Sequence, residues 1–253
     1  MSRITQKGAT GPLSLTANGL FQTSTDADLL TLVGTRWDLS DGREVILVKA
    51  GSGTTIASGK LYQDAAIVPN HQNLDVTAFT AYSANGNVPA KITVTLGNTA
   101  ATANQYRGGF VIVNDVTGEG QTLRIASHPA ADASASVVIT LEDGANTALG
   151  ASSEICLLPP HGQDVIIYPT TPTGAVAGVA LCPIAASSYG FLTTKGLTSC
   201  LAEGTITVGT SISPSTSVAG AVATTTATTI WTSVGYANQA GVDTEYRCVF
   251  VNV

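Results

Sequence analysis

The sequence predicts an all-β protein, built as antiparallel β-barrel or β-sandwich domains preceded by an extended N-terminal arm. Three observations lead to this class. Short runs rich in Val, Ile and Thr recur along most of the 253 residues, separated by turn residues. The 26 glycines and 10 prolines are scattered without a fixed period, as tight turns require, because glycine accepts positive φ and proline presets a bend. No stretch of helical periodicity separates the runs, so parallel βαβ units are not expected.

Residues 1–35 read as the arm. They carry Gly8, Gly11, Pro12 and Gly19, and then a polar-apolar stretch in which Asp26 either caps a short helix through Leu29, Leu30 and Leu32 or lies in a loop. From Asp38 the pattern is β. Asp41-Gly42 marks a turn before Val45-Ile46-Leu47-Val48, and Gly51-Ser52-Gly53 before TTIASG suggests a hairpin. Period-two alternation puts Leu74, Val76 and Ala78 on one face of a strand, and Ile92, Val94 and Leu96 on one face of the next. NDVTGEG, between Phe110–Val113 and Gln121–Ile125, suits a hairpin loop containing a residue at positive φ. Strands are also expected over Val137–Leu141, Ile155–Leu158 and Val165–Tyr168.

The two prolines of Pro169-Thr-Thr-Pro172-Thr-Gly174 suggest a boundary, giving a β domain over 36–168 and a C-terminal barrel or sandwich over 169–253. In the second domain YGFLTTKG and LTSCLAEG read as two strands about a glycine turn, and TITVGTSI, TIWTSVGYA and EYRCVFVNV as further strands.

Composition narrows the function. Charged residues are 11% of the chain and hydrophobic ones 44%, with a mean hydropathy of +0.26, so apolar surface buried between copies is expected. A net charge of −6 with the 11 Lys and Arg scattered singly offers no basic stripe for nucleic acid. The start MSRITQKGATGPLSL lacks the apolar run of a signal peptide, and no run of about 18 apolar residues could span a membrane. A soluble protein made in the cytoplasm is the expectation. Cys156, Cys182, Cys200 and Cys248 form no close pair, and four buried free thiols are expected.

Candidate chemistry is sparse. His161 and Asp164, in PPHGQDV, could form a base and orienter pair, but they sit in a turn entering a strand and read as structural. His71 and His128 stand alone at the ends of apolar runs and read as solvated or hydrogen-bonded loop residues. Glu142-Asp143 before Gly144 reads as a turn, as does Gly118-Glu119-Gly120, which lacks phosphate-loop spacing. Trp37, Phe191 and Trp231 read as core or interface anchors. No catalytic, cofactor-binding or metal-ligating residue is assigned, and no enzymatic activity is expected.

The order of phrases in the second half, AGVALCPI, YGFLTTKG, LAEGTITVGTSI, AGAV, VGYANQAG and EYRCVFVNV, resembles tailed-bacteriophage virion proteins of the capsid decoration (cement) or head structural class. DGREVILVKAG, AAIVPNHQNLDVTA and YRGGFVIVNDVTGEGQTLRI look like the same kind of protein, so the resemblance covers most of 38–253. It implies a non-enzymatic β-barrel or β-sandwich protein, often homotrimeric, on the capsid exterior that bridges major capsid subunits; no cofactor is expected, and the charge and apolar-run lengths above argue against direct contact with nucleic acid or membrane. Two other expectations stand beside it. A receptor- or polysaccharide-binding tail or fibre protein would show exposed aromatics in a groove and a trimerising stalk. A depolymerase would carry dispersed carboxylates.

Overall fold

The computed structural model describes residues 4–6, 19–21, 23–84, 88–225 and 233–253, and it is nearly all β. Two compact units divide the chain: residues 1–66 with 161–253, and residues 67–160. The first unit begins with β1 (Ile4–Gln6), β2 (Arg36–Leu39), β3 (Glu44–Lys49) and β4 (Leu61–Gln63). The second holds β5 (Leu74–Thr80), β6 (Lys91–Thr95), β7 (Phe110–Asp115), β8 (Thr122–Ser127), β9 (Ser136–Leu141) and β10 (Glu154–Leu158). The chain then returns to the first unit as β11 (Ile166–Ile167), β12 (Val176–Ala180), β13 (Tyr189–Leu201), β14 (Ser211–Pro214), β15 (Val222–Thr224), β16 (Gly235–Ala237) and β17 (Tyr246–Asn252).

The first unit is an antiparallel sheet in the order β1-β2-β3-β13-β17-β16-β14-β15, with β12 joining β13 to β4 and β11 pairing β4. Its organising strand is β13, thirteen residues long. Over Tyr189–Thr193 β13 pairs with β3, and Leu192 and Thr193 also pair with β12, so this half is buried on both faces. Over Lys195–Leu201 it pairs with β17 and alternates buried with exposed residues. Gly196 is therefore not a turn between two strands. It is a bend inside one strand, at φ +104, where a Cβ would lie 2.8 Å from the Arg43 side chain.

Trp37, 1% exposed, meets Phe191 edge to face at 5.3 Å and 87° beneath this sheet, as an aromatic anchor should. Leu20 and Val33 are buried in the same cluster, and Leu29, Leu30 and Leu32 pack against it. Residues 19–35 are consequently part of the fold and not a detached arm. Their leucines have an apolar surface to cover, and Ser24 exchanges two backbone hydrogen bonds with Tyr189. Asp26 does cap a short turn, a 3-10 helix over Ala27–Leu32, by accepting from the Asp28 N–H at 3.0 Å. The rest of the expected arm lies outside the described residues, apart from β1, which pairs with β2. Trp231 also lies outside them.

The second unit is a closed six-stranded antiparallel barrel, β10-β5-β6-β9-β8-β7. Closure leaves no strand edge free, and inward-facing side chains fill the interior. Ile92, Val94, Val111, Ile125, Ile139 and Ile155 are at 0–1% exposure. The expected alternation holds for Ile92, Val94 and Leu96. In β5 it breaks after Val76, where a bulge turns Ala78 outward and lets Phe79 pack on the core instead.

The boundary expected at Pro169–Gly174 is not where the units divide. That segment is pinned to the sheet: the Gln63 amide donates to the Thr173 hydroxyl at 2.7 Å, and a Cβ on Gly174 would lie 2.4 Å from the Asp64 carbonyl oxygen. The actual crossings are near residues 66 and 161, because β3 and β4 find their partners in β11, β12 and β13 across the whole barrel sequence. Nor does TTIASG form the expected hairpin, since only Ile56 makes an isolated bridge, to Ile184.

The hairpin between β7 and β8 forms as expected, with three residues of its loop at positive φ: Val116 at +67, Gly118 at +87 and Gly120 at +82. Val116 is the costly one, because a β-branched side chain in the left-handed region is strained by about 1–2 kcal/mol. Val116→Asn should raise stability by about 1 kcal/mol, read as a higher urea midpoint at unchanged slope. Conversely, Trp37→Ala should cost about 3–5 kcal/mol.

Candidate functional site

The face of the first unit formed by β13, β17 and β16 is the most distinctive surface. On β17 the residues Tyr246, Cys248, Phe250 and Asn252 alternate with buried Val249 and Val251. Register places Leu197 opposite Phe250 and Phe250 opposite Tyr236, so an apolar row crosses three strands. The rings of Tyr236 and Phe250 stack at 4.9 Å and 7°. A solvated face of an antiparallel sheet is ordinarily polar. Here Leu197 is 48% exposed and Tyr236 45% exposed.

Beside this row lies an open groove of about 880 Å³, lined among others by Phe21, Arg43, Leu197, Gln239, Tyr246 and Cys248. Tyr246 owes its position to Gly59, where φ is +67 and a Cβ would come within 2.7 Å of the ring, so only glycine lets the ring lie against this backbone. The ring remains 49% exposed. Gln239 accepts from the Cys248 N–H at 3.3 Å. Arg43 is held by Asp41, its Nε donating to Oδ2 at 2.9 Å, and this hydrogen bond keeps the Asp41 carboxyl below its usual range. Arg247, on the opposite face of β17, pairs with Glu245 just before the strand. Arg43, the charged side chain among the groove's described lining residues, is thus already paired, and the groove offers contact surface and hydrogen-bonding groups. Among its described lining residues there is no histidine or carboxylate to act as a general base.

The residues singled out in sequence take other places. His161 does not pair with Asp164. Its Nδ1 lies 2.7 Å from Asp64 Oδ2, while Asp64 Oδ1 accepts from the Gly162 N–H, and Asp164 forms an ion pair with Lys49 at 2.8 Å. Glu142 pairs with Arg124 at 3.1 Å. His71 and His128 are hydrogen-bonded but not solvated, at 0% and 5% exposure, and Tyr106 lies between them. Among the described residues no group of three His, Cys, Asp or Glu is placed to hold a metal ion, and no helix is long and apolar enough to cross a membrane.

Sequence reasoning missed the exposed row and the groove. The apolar alternation of EYRCVFVNV was visible, but both of its faces carry apolar residues, and only pairing with β13 and β16 shows which face stays open.

No protein-family model, no curated protein and no solved structure matches the chain.

All four cysteines are free, though only Cys182 and Cys200 are buried. Burial pushes the Cys200 thiol up to about 12 and raises that of Cys182. Because the thiolate is the reactive form, native alkylation at pH 8 should label Cys156 and Cys248 and spare Cys182 and Cys200. Denaturation without reductant should expose all four, as mass spectrometry of the labelled chain would show.

Proposed function

We propose that the chain is a structural virion protein that binds the outer surface of a phage capsid and stabilises the head by bridging major capsid subunits, as a homotrimer. The observation that carries this reading is the apolar row Leu197–Phe250–Tyr236, in which Leu197 and Tyr236 are exposed and Phe250 is half-buried between them. Contiguous exposed apolar surface of this kind marks a contact with another macromolecule. The likeness of the second-half phrases to decoration proteins supports the choice of partner. Stabilisation would come by mass action, since a ligand that binds only the assembled shell favours that shell in proportion to its occupancy. Three copies in one trimer would add their weak contacts through effective concentration.

A second reading is kept because one observation favours it. Tyr246, with its ring open at a groove that also presents Phe21, Gln239 and Arg43, is the kind of exposed aromatic expected of a polysaccharide- or receptor-binding protein of the virion.

Purified protein mixed with heads that lack it separates the two. Saturable binding and increased tolerance of heat and low ionic strength are expected. Leu197→Asp and Tyr236→Asp should each weaken head binding about tenfold, or ~1.4 kcal/mol, without unfolding the protein. Tyr246→Ala should then leave head binding intact. Heads equally robust with and without the protein would overturn the cementing role, and Tyr246-dependent retention on host polysaccharide would favour the second reading.

A further inference from the structure

The barrel contains a polar cluster that neither the fold nor the proposed function requires. His71 sits in the turn before β5, Tyr106 in the connection before β7, and His128 directly after β8. The antiparallel pairings put the start of β5, the end of β6, the start of β7, the end of β8 and the end of β10 at the same end of the barrel. The unit's first and last residues, Ile67 and Pro160, flank β5 and β10 at that end too.

The partners fix the tautomers. A carbonyl oxygen can only accept, so His71 Nε2–H donates to the Thr99 carbonyl at 2.9 Å, and His128 Nδ1–H donates to the Pro129 carbonyl at 2.8 Å. His71 Nδ1 is then the acceptor for the Tyr106 hydroxyl, and His128 Nε2 the acceptor for the Tyr106 backbone N–H at 3.0 Å. Tyr106 therefore gives one proton to each imidazole. The same residues tie the neighbouring loops: the His128 N–H donates to the Asn104 side chain at 3.1 Å, the Asn104 N–H donates to the His128 carbonyl, and Ala101 bridges Ala131.

The geometry at His128 has no room for an imidazolium. A proton on His128 Nε2 would point at the Tyr106 N–H, donor against donor, in a site almost closed to water. The ionisable groups facing His128 are His71 and Tyr106, and among the described residues no carboxylate, lysine or arginine hydrogen-bonds or ion-pairs with either imidazole. Among the described residues no opposite charge is placed to compensate it.

We propose that His71, Tyr106 and His128 form an acid-sensitive latch, which holds the loops at the chain-crossing end of the barrel while the His128 imidazole is neutral and releases them when His128 takes up a proton, the sheet unit keeping its fold.

The direction of the pH dependence follows from burial, which lowers the affinity of His128 for a proton below its ordinary value of 6.5, with the nearby His71 adding to the effect. Above 6.5 the ring is neutral whether the latch is closed or open, so the closed state keeps its full advantage. As pH falls from 6.5 toward the lowered value, the open state binds the proton and the closed state does not. Opening becomes up to about tenfold more favourable per pH unit over that interval. Below it the loss levels off.

Hydrogen exchange of the full-length protein at pH 7.5 and 5.0, corrected for the intrinsic pH dependence of exchange, tests this. Peptides covering 97–109 and 127–135 should lose protection at pH 5.0, by up to about thirtyfold, while the β13 peptide covering 189–201 keeps its own. In His128→Gln the side chain can still accept from Tyr106 and donate to Pro129 but cannot titrate, so the acid effect should vanish. Equal loss in both units, no loss in the barrel, or the same loss in His128→Gln would overturn the proposal. A second measurement does not depend on that variant folding. Ring nitrogen shifts of His128 in the wild-type protein should report protonation together with exposure of the Tyr106 amide, and a ring that protonates while that amide stays protected would overturn the latch.

Discussion

Backbone pairing along both edges of β13 is the constraint on which the first unit depends. Its thirteen residues collect β3 from the start of the chain, β12 from shortly before it, and β17 from the end. In this sheet strands so distant in sequence are gathered by one long strand, since β13 changes partners along its length. The bend at Gly196 marks the change. Over Tyr189–Thr194 the strand is buried on both faces, and from Lys195 onward one face is free, which is where the apolar row begins. The fold and its candidate contact surface therefore share one origin.

Strands with a clean period were legible in the sequence. Ile92, Val94 and Leu96 lie inside the barrel as their alternation requires, and NDVTGEG turns a hairpin with residues at positive φ. What was not legible is long-range pairing. YGFLTTKG and LTSCLAEG look like two strands because glycine usually breaks a strand, and nothing local says that β3 and β17 will hold them in line. The Pro169–Gly174 segment looks like a linker because its residues favour irregular backbone, and only the hydrogen bonds from Gln63 make it part of the sheet. The last part of the expected arm, from residue 19 on, departs from expectation for a related reason: Leu20 and Val33 have weak local patterns but are buried beside Trp37.

The candidate sites show the same limit. His71 and His128 looked isolated because their common partner, Tyr106, is remote from both in sequence. His161 had Asp164 close in sequence, yet the fold gives it Asp64. Proximity along the chain is a poor guide in a β protein, where neighbours across a sheet come from distant segments. The apolar character of Leu197, Tyr236 and Phe250 could be read directly, but not their exposure.

The Asp64 carboxylate has a consequence of its own. It accepts from His161 with one oxygen and from the Gly162 backbone with the other, so the point where the chain leaves the sheet and the point where it returns are stapled together. The barrel is thus an excursion whose two ends are already closed by the sheet. The entropy of bringing those ends together is met by contacts outside the barrel, and it changes little with the length of the insert, growing only logarithmically. Such a junction tolerates exchange of what it carries. A shorter turn or another closed module could join the same two points while β3, β4, β12 and β13 kept their register.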